Sequence, residues 1–348
     1  MVSLVLSLFV SLLLSCSVTS ECILGRKITP VVIFNFGDSN SDTGGLSSAL
    51  GFNIGLPNGR VFFHRSSGRL CDGRLVIDFL CESLKTSFLT PYLEPMKPNF
   101  TNGANFAISG ASTMPEYVPF ALDVQVLQFL RFKTRSLQLV SQGEKDLVGE
   151  EGFQNAIYTI DIGQNDLSAA FASRLSYNQR IYEDGGRNFW AHNTGPLGCL
   201  PQKLASLSKI NNPSILDQYG CIRFLNDAAQ VFNQKLRTLC NELRLEMKNA
   251  AVVYIDVYSI KYELIANATN YGFVNPHMAC CGYGGAPYNY NSSVGCGRSG
   301  SNICNEGSRY VSWDGVHYTE AANAIVASMI LSTHYSTPPL KFGYFCTT

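Results

Sequence analysis

An excess of either charge is missing from this chain of 348 residues: 26 Lys and Arg balance 26 Asp and Glu, and no long like-charge run occurs. A surface that follows a nucleic-acid backbone needs a basic excess, so this balance argues against nucleic acid as a partner. Beyond the first fifteen residues, no segment is long and apolar enough to cross a bilayer. Internal repeats and low-complexity linkers are also missing, which points to one domain. Histidine is scarce, with five in all, so chemistry that needs a base near neutral pH has few candidates. What the chain does have is apolar material, 46% hydrophobic and 11% aromatic, enough for one large core.

The opening run MVSLVLSLFVSLLLS is short for a membrane span, and Val18-Thr19-Ser20 follows as a small-residue cleavage site. Its n-region carries only the amino-terminal charge. The pattern reads as a secretory signal peptide over 1–20, with a mature domain over 21–348. There are twelve cysteines, and cleavage removes Cys16, leaving eleven. That density in a chain with a signal points to disulfides, with one thiol left over and the pairing open. Cys280, Cys281, Cys296 and Cys304 lie in a Gly/Asn/Tyr-rich stretch where a staple would replace missing core. Zinc is the alternative there, but adjacent Cys280-Cys281 lacks the usual C-x2-C ligand spacing, so no metal is expected. Asn99, Asn267 and Asn291 head N-x-[ST] triplets and are expected to be exposed and glycosylated in a secreted chain.

Five short apolar, β-branched or aromatic runs bounded by turn residues read as buried parallel strands: 31–36, 104–108, 156–161, 187–192 and 251–256. Helical periodicity appears over 74–83, 122–139, 222–248 and 319–331, the last with Thr319 as its N-cap. Strand alternating with helix predicts a helix-covered parallel α/β sheet with right-handed crossovers. Gly37-Asp38-Ser39, Ser109-Gly110-Ala111-Ser112 and Gly163-Gln164-Asn165-Asp166 follow the first, second and third strands. In open parallel sheets ligands bind outside the carboxyl ends of the strands, so three segments converge on one edge.

Ser39, in a turn that Gly37 allows to be tight, is the candidate nucleophile, although Asp38 and Ser39 could equally cap a helix starting near Asp42. A serine hydroxyl needs a base. His317 lies three residues after Asp314, a spacing that lets the carboxylate hold one ring nitrogen while the other faces the serine. The plainer alternative is a turn aspartate and a surface histidine. Backbone N–H groups of Ser39 and Gly110 and the Asn165 amide would supply an oxyanion hole, although glycine and asparagine are also ordinary turn residues.

These segments resemble the plant GDSL esterase/lipase family of the SGNH hydrolase superfamily. The matches are FNFGDSNSDTGG, GRLCDGRLVIDFL, NGANFAISGAST, YTIDIGQNDL, NFWAHNTGPLGCLP and WDGVHYTEAAN, in order over nearly the whole mature chain. The resemblance implies a flavodoxin-like, three-layer α/β/α sandwich with a five-stranded parallel sheet. It also implies Ser39, Asp314 and His317 as catalytic residues, with Ser39, Gly110 and Asn165 forming the oxyanion hole. The activity it implies is carboxylic-ester hydrolysis on lipids or acylated metabolites and glycans, without cofactor, in an extracellular protein of the apoplast or cell wall. Asn40 stands where the family's motif name has Leu, a position with no part in the chemistry. The 167–184 segment is shorter than in such relatives and leaves room for only a short crossover helix.

Two other functions compete. A glycosidase of the α-fucosidase kind would need two carboxylates, for which Asp38 and Asp314 are candidates. A non-catalytic glycan-binding relative would follow if the short crossover displaced the site. Pocket walls are expected from loops 57–73, 113–122 and 275–305, whose aromatics Phe62, Phe63, Tyr117, Phe120, Tyr283 and Tyr288 either meet substrate or simply pack.

Overall fold

The computed structural model describes residues 23–24, 27–28, 31–115, 118–169, 181–207 and 213–346. The signal peptide expected over 1–20, Tyr117 and most of the short crossover lie outside the described residues.

Five parallel strands form the centre of the molecule: β1 (Ile33–Gly37), β2 (Gly103–Asn105), β3 (Ile157–Asp161), β4 (Asn188–His192) and β5 (Ala251–Ile255). A sixth strand, β6 (Ser336–Thr337), pairs antiparallel with β5 and extends the expected five-stranded sheet at one edge. Across the sheet the order is β6-β5-β4-β3-β1-β2. The chain therefore leaves β1 in one direction to reach β2 and resumes on the other side at β3. This reversal between β1 and β3 is where doubly wound sheets open a crevice for ligands.

Register divides the side chains by a period of two. Phe34, Phe36, Tyr158, Ile160, Phe189, Ala191, Val252 and Tyr254 face one layer of helices, α3 (Leu122–Ser141), α4 (Glu150–Asn155) and α7 (Arg223–Glu246). Ile33, Ile157, Trp190, Val253 and Ile255 face the other layer, α2 (Val76–Ser83), α8 (Val257–Ala266) and α9 (Glu320–Leu331). Three layers result, helices on both faces of the sheet. Three shorter helices, α1 (Gly45–Leu50), α5 (Gln164–Ala169) and α6 (Pro201–Leu207), follow the strand ends.

Some expected boundaries shift for local reasons. The second strand stops at Asn105 rather than 108, because Asn105 turns its carboxamide oxygen back onto the Ala107 N–H (3.0 Å). Helix α8 follows directly on β5, where the continuous apolar run hides the change of period; Asp256 caps it by accepting from Ser259 N–H (3.1 Å). Thr319 caps α9 as expected, accepting from Ala322 N–H at 3.2 Å. The short crossover does not disturb the sheet: β3 and β4 stay in parallel register from Ile157–Asn188 to Asp161–His192. Ile181, just before β4, is fully buried against the aromatic layer.

Phe34 is the centre of that layer. It is 0% exposed, stacks on Phe153 (centroids 5.2 Å, 6°) and meets Phe129 edge-on at 5.1 Å. Phe34→Ala is expected to lower unfolding free energy by about 3–5 kcal/mol, read as a lower denaturant midpoint with disulfides intact.

Candidate active site

The turn after β1 is built around Gly37. A Cβ there would stand 2.3 Å from the Asp161 carbonyl oxygen and 2.8 Å from Ser41 Oγ, so only glycine fits. The fully buried carboxamide of Gln125, on α3, clamps this residue from the side. Its oxygen accepts Gly37 N–H at 2.9 Å and its Nε2 donates to Gly37 O at 2.8 Å. Beneath the turn a polar ladder crosses three strands: Thr159 Oγ1 donates to Asn35 Oδ1 (2.7 Å), and Asn35 Nδ2 donates to Asn105 Oδ1 (2.8 Å). Asn105 Nδ2 then donates to Ser41 O (2.7 Å) and Thr43 Oγ1 (2.9 Å). Ser39 therefore sits 6% exposed on a turn held from below and from one side. The expected helix near Asp42 begins at Gly45 as α1, with Asp42 rather than Asp38 or Ser39 bonding its first N–H groups.

Gly110 lies beyond β2 with φ +86°, in the left-handed region where glycine carries no Cβ penalty. A Cβ would meet Val118 Cγ1 at 3.3 Å. Asn165 belongs to the first turn of α5, a helix where the sequence reads as a loop. Its Nδ2 donates to Ala111 O at 2.7 Å, which fixes the amide and leaves its second N–H without an acceptor among the described residues. The backbone N–H groups of Ser39 and Gly110 likewise have no acceptor among the described residues. Unpaired donors from the ends of three adjacent strands thus remain at one edge of the sheet.

Asp314 and His317 occupy a turn before α9. Asp314 Oδ1 accepts the N–H groups of Val316 (3.0 Å) and His317 (2.8 Å), and Oδ2 accepts from His317 Nδ1 at 2.7 Å. The pairing assigns the proton to Nδ1 and leaves Nε2 as the basic nitrogen. Burial disfavours the imidazolium, but the Asp314 charge and hydrogen bond outweigh it, with help from Asp38, and the His317 pKa is raised. Burial opposes ionisation of Asp314 too, yet the His317 charge and hydrogen bonds hold its pKa below the usual value. Ser39 Oγ makes no hydrogen bond to His317 in this arrangement; catalytic contacts of this kind often tighten only when substrate binds.

The cysteines hold this turn in place. Cys280–Cys304 and Cys281–Cys296 are disulfides, which rules out zinc on these four residues, and Cys199–Cys221 is a third. Cys280 N–H donates to Ser312 O (3.0 Å) and Cys281 N–H to Trp313 O (2.7 Å), so the doubled staple abuts the residues just before Asp314. Trp313 is fully buried and its indole N–H donates to Asn58 Oδ1 at 2.9 Å. Cys71, Cys81 and Cys240 are free, buried thiols whose pKa values burial raises.

The surroundings of several residues at the site escape a reading of sequence alone. Asp38 is 1% exposed, and burial together with the Asp161 charge pushes its carboxyl up to about 7. Lys261 of α8, buried with its ammonium 4.4 Å from the Tyr318 ring centroid, has its pKa lowered by burial. Asp161 and His192 approach to 3.5 Å at neighbouring strand ends. Asp38, Asp161 and His192 stand in the matched motifs, but nothing in the local sequence joins them to a lone lysine inside an apolar helical stretch. Of the expected wall aromatics, Phe62 and Phe63 pack against each other, Arg74 and Arg69. Tyr283 is exposed, and Phe120 and Tyr288 are half-buried. Asn99, Asn267 and Asn291 are all exposed.

Known proteins share this plan. The family profile GDSL-like Lipase/Acylhydrolase matches residues 33–330. "GDSL esterase/lipase At1g09390" of Arabidopsis thaliana is 56% identical over 93% of this chain and 92% of its own length. "GDSL esterase/lipase LIP-4" of the same plant is 56% identical over 90% of this chain and 89% of its own. "Alpha-L-fucosidase 3", also of Arabidopsis thaliana, is 43% identical over 86% and 89% respectively. With the family profile spanning both the serine turn and the Asp–His turn, this chain belongs to the GDSL-like lipase/acylhydrolase family of hydrolases.

Proposed function

We propose that the protein is a secreted serine hydrolase of carboxylic esters, working by acyl transfer through Ser39, His317 and Asp314. The observation that carries this reading is the set of unpaired donors, Ser39 N–H, Gly110 N–H and the free Asn165 N–H, around a serine that an Asp-held histidine serves. In the first half, Ser39 Oγ bonds to the ester carbonyl carbon while His317 Nε2 takes its proton. The oxyanion rests on the three donors, and protonated His317 then gives its proton to the departing alcohol. Water repeats the sequence on the acyl-enzyme and frees the acid. Lipid or acylated-glycan esters are the substrate class, and the apoplast or cell wall is the location. Three disulfides among the described residues and three exposed glycosylation triplets support the extracellular reading.

A glycosidase is the second reading, favoured by one relative's name and by Asp38 and Asp314 being driven apart in pKa. Two observations weigh against it: Asp38 is buried, and Asp314 is committed to His317. Turnover of nitrophenyl acetate but not nitrophenyl fucoside is the expected result; the reverse would transfer the assignment.

Removing a donor weakens transition-state binding without disturbing the core. Asn165→Ala is expected to lower kcat on a short-chain ester by about 10²–10³ with the protein still folded, checked by steady-state kinetics beside circular dichroism. His317 must be neutral to act as base, so activity falls as pH drops through its raised pKa. Asp314→Asn removes the group that raises it. The acid limb of the kcat/KM profile should then move to lower pH while kcat drops by up to about 10⁴; an acid limb that stays in place would contradict this pairing.

A further inference from the structure

Two carboxylates near the site, Asp42 and Asp166, touch neither Ser39 nor His317, yet both grip the 109–113 loop that carries Gly110. Asp42 is 1% exposed and its carboxylate collects five donors. Oδ1 accepts Gly44 N–H (2.8 Å) and Gly45 N–H (2.5 Å) at the start of α1. Oδ2 accepts Leu46 N–H (3.2 Å) and both the N–H and the hydroxyl of Ser109, each at 2.8 Å. Ser109 immediately precedes Gly110, so Asp42 ties the segment that carries the nucleophile to the entrance of the oxyanion loop. At the loop's other end, Asp166 Oδ1 and Oδ2 accept Thr113 N–H at 2.8 and 3.1 Å, and the Thr113 hydroxyl also donates to this carboxylate. Asp166 is the neighbour of Asn165, whose own amide holds Ala111 O between the two straps.

We infer that Asp42 and Asp166 are positioning residues for the oxyanion hole, fixing the distance between the Gly110 N–H and the donors of Ser39 and Asn165. The inference rests on the hydrolase reading above. Ile108 N–H on Gly37 O (3.2 Å) ties the loop to β1, and Ala111 N–H closes a turn on Ile108 O (3.0 Å). Gly110 itself, in the left-handed region beyond β2, needs side-chain contacts to hold it against the segments of Ser39 and Asn165. The two straps do so, and each comes from a segment that supplies one of the other donors. A carboxylate suits this role because it accepts at both oxygens, whereas an isosteric amide must present an NH₂ to one set of N–H groups. Amide substitution at Asp42 therefore opposes donor to donor while preserving size, whereas Asp166, which holds one N–H and one hydroxyl of Thr113, loses its strap only when the carboxyl is removed.

The test uses the full chain with its disulfides formed and compares Asp42→Asn and Asp166→Ala with wild type. The substrate is nitrophenyl acetate, and the probe is a trifluoromethyl ketone. Ser39 Oγ bonds to the ketone's carbonyl carbon as the serine proton goes to His317, and the carbonyl π electrons move to the oxygen, which remains as an oxyanion in the hole. Each variant is expected to lose about 10²-fold in kcat, the scale of a donor displaced by about 1 Å, while KM changes less than about threefold. Affinity for the ketone should fall by the same factor as kcat/KM, with the acid limb of the pH profile and the melting temperature near wild type. Folded variants with undiminished kcat, or a kcat loss that leaves ketone affinity intact, overturn the inference. Should these variants fail to fold, Ser109→Ala decides by the same criteria, since it deletes only the hydroxyl and keeps Ser109 N–H on Asp42; a loss of about tenfold is expected. Wild-type protein inert to both ester and ketone would overturn the hydrolase reading itself, a result distinct from an active wild type with undiminished variants.

Discussion

Parallel pairing of β1 with β2 on one side and β3 on the other is the constraint from which the site follows. It places Asn35 opposite Asn105 and Gly37 opposite Asp161, so the turns bearing Ser39, Gly110 and Asn165 leave the sheet side by side. The polar ladder through Thr159, Asn35 and Asn105 occupies core positions where apolar side chains would otherwise pack. A buried amide network is tolerable only when its groups are satisfied, and this one ends by bonding Ser41 and Thr43 beyond Ser39. Core polarity is thereby spent on holding a turn, not on the sheet itself.

The Asp–His turn is fixed by different means. It lies in a stretch with little regular structure, and two disulfides from adjacent cysteines take the place of a strand ladder beside Ser312 and Trp313. Arg60 reinforces this corner: it donates to Cys304 O at 2.8 Å, and its guanidinium carbon lies 5.3 Å from the Trp313 ring centroid. Oxidised cysteines are therefore part of how Asp314 and His317 are positioned, which suits the extracellular location proposed above.

Much of this was legible in the sequence. Strand and helix periods mark the α/β order, and the three motif-bearing strand ends are visible as Gly-rich breaks after apolar runs. Asp314 and His317 were legible because their spacing has a local consequence, a carboxylate reaching a ring three residues on. What stayed hidden depends on contacts between distant parts of the chain. Gln125 reads as an ordinary polar residue on a helix, and only the fold sets its amide against Gly37. Lys261 and His192 join Asp38 and Asp161 through strand order, which no local pattern reveals. Asn165 reads as a turn residue because a six-residue helix such as α5 leaves a period too short to detect. The disulfide pairing likewise follows from spatial neighbours rather than from spacing.

The central claim is that Ser39 is a nucleophile activated by His317. It is tested most directly by treating the folded protein with a fluorophosphonate and mapping the adduct by mass spectrometry. The account predicts one phosphonyl group on Ser39, with labelling that slows sharply in His317→Ala. A correctly folded protein that stays unlabelled, or that carries the adduct on another residue, would contradict it.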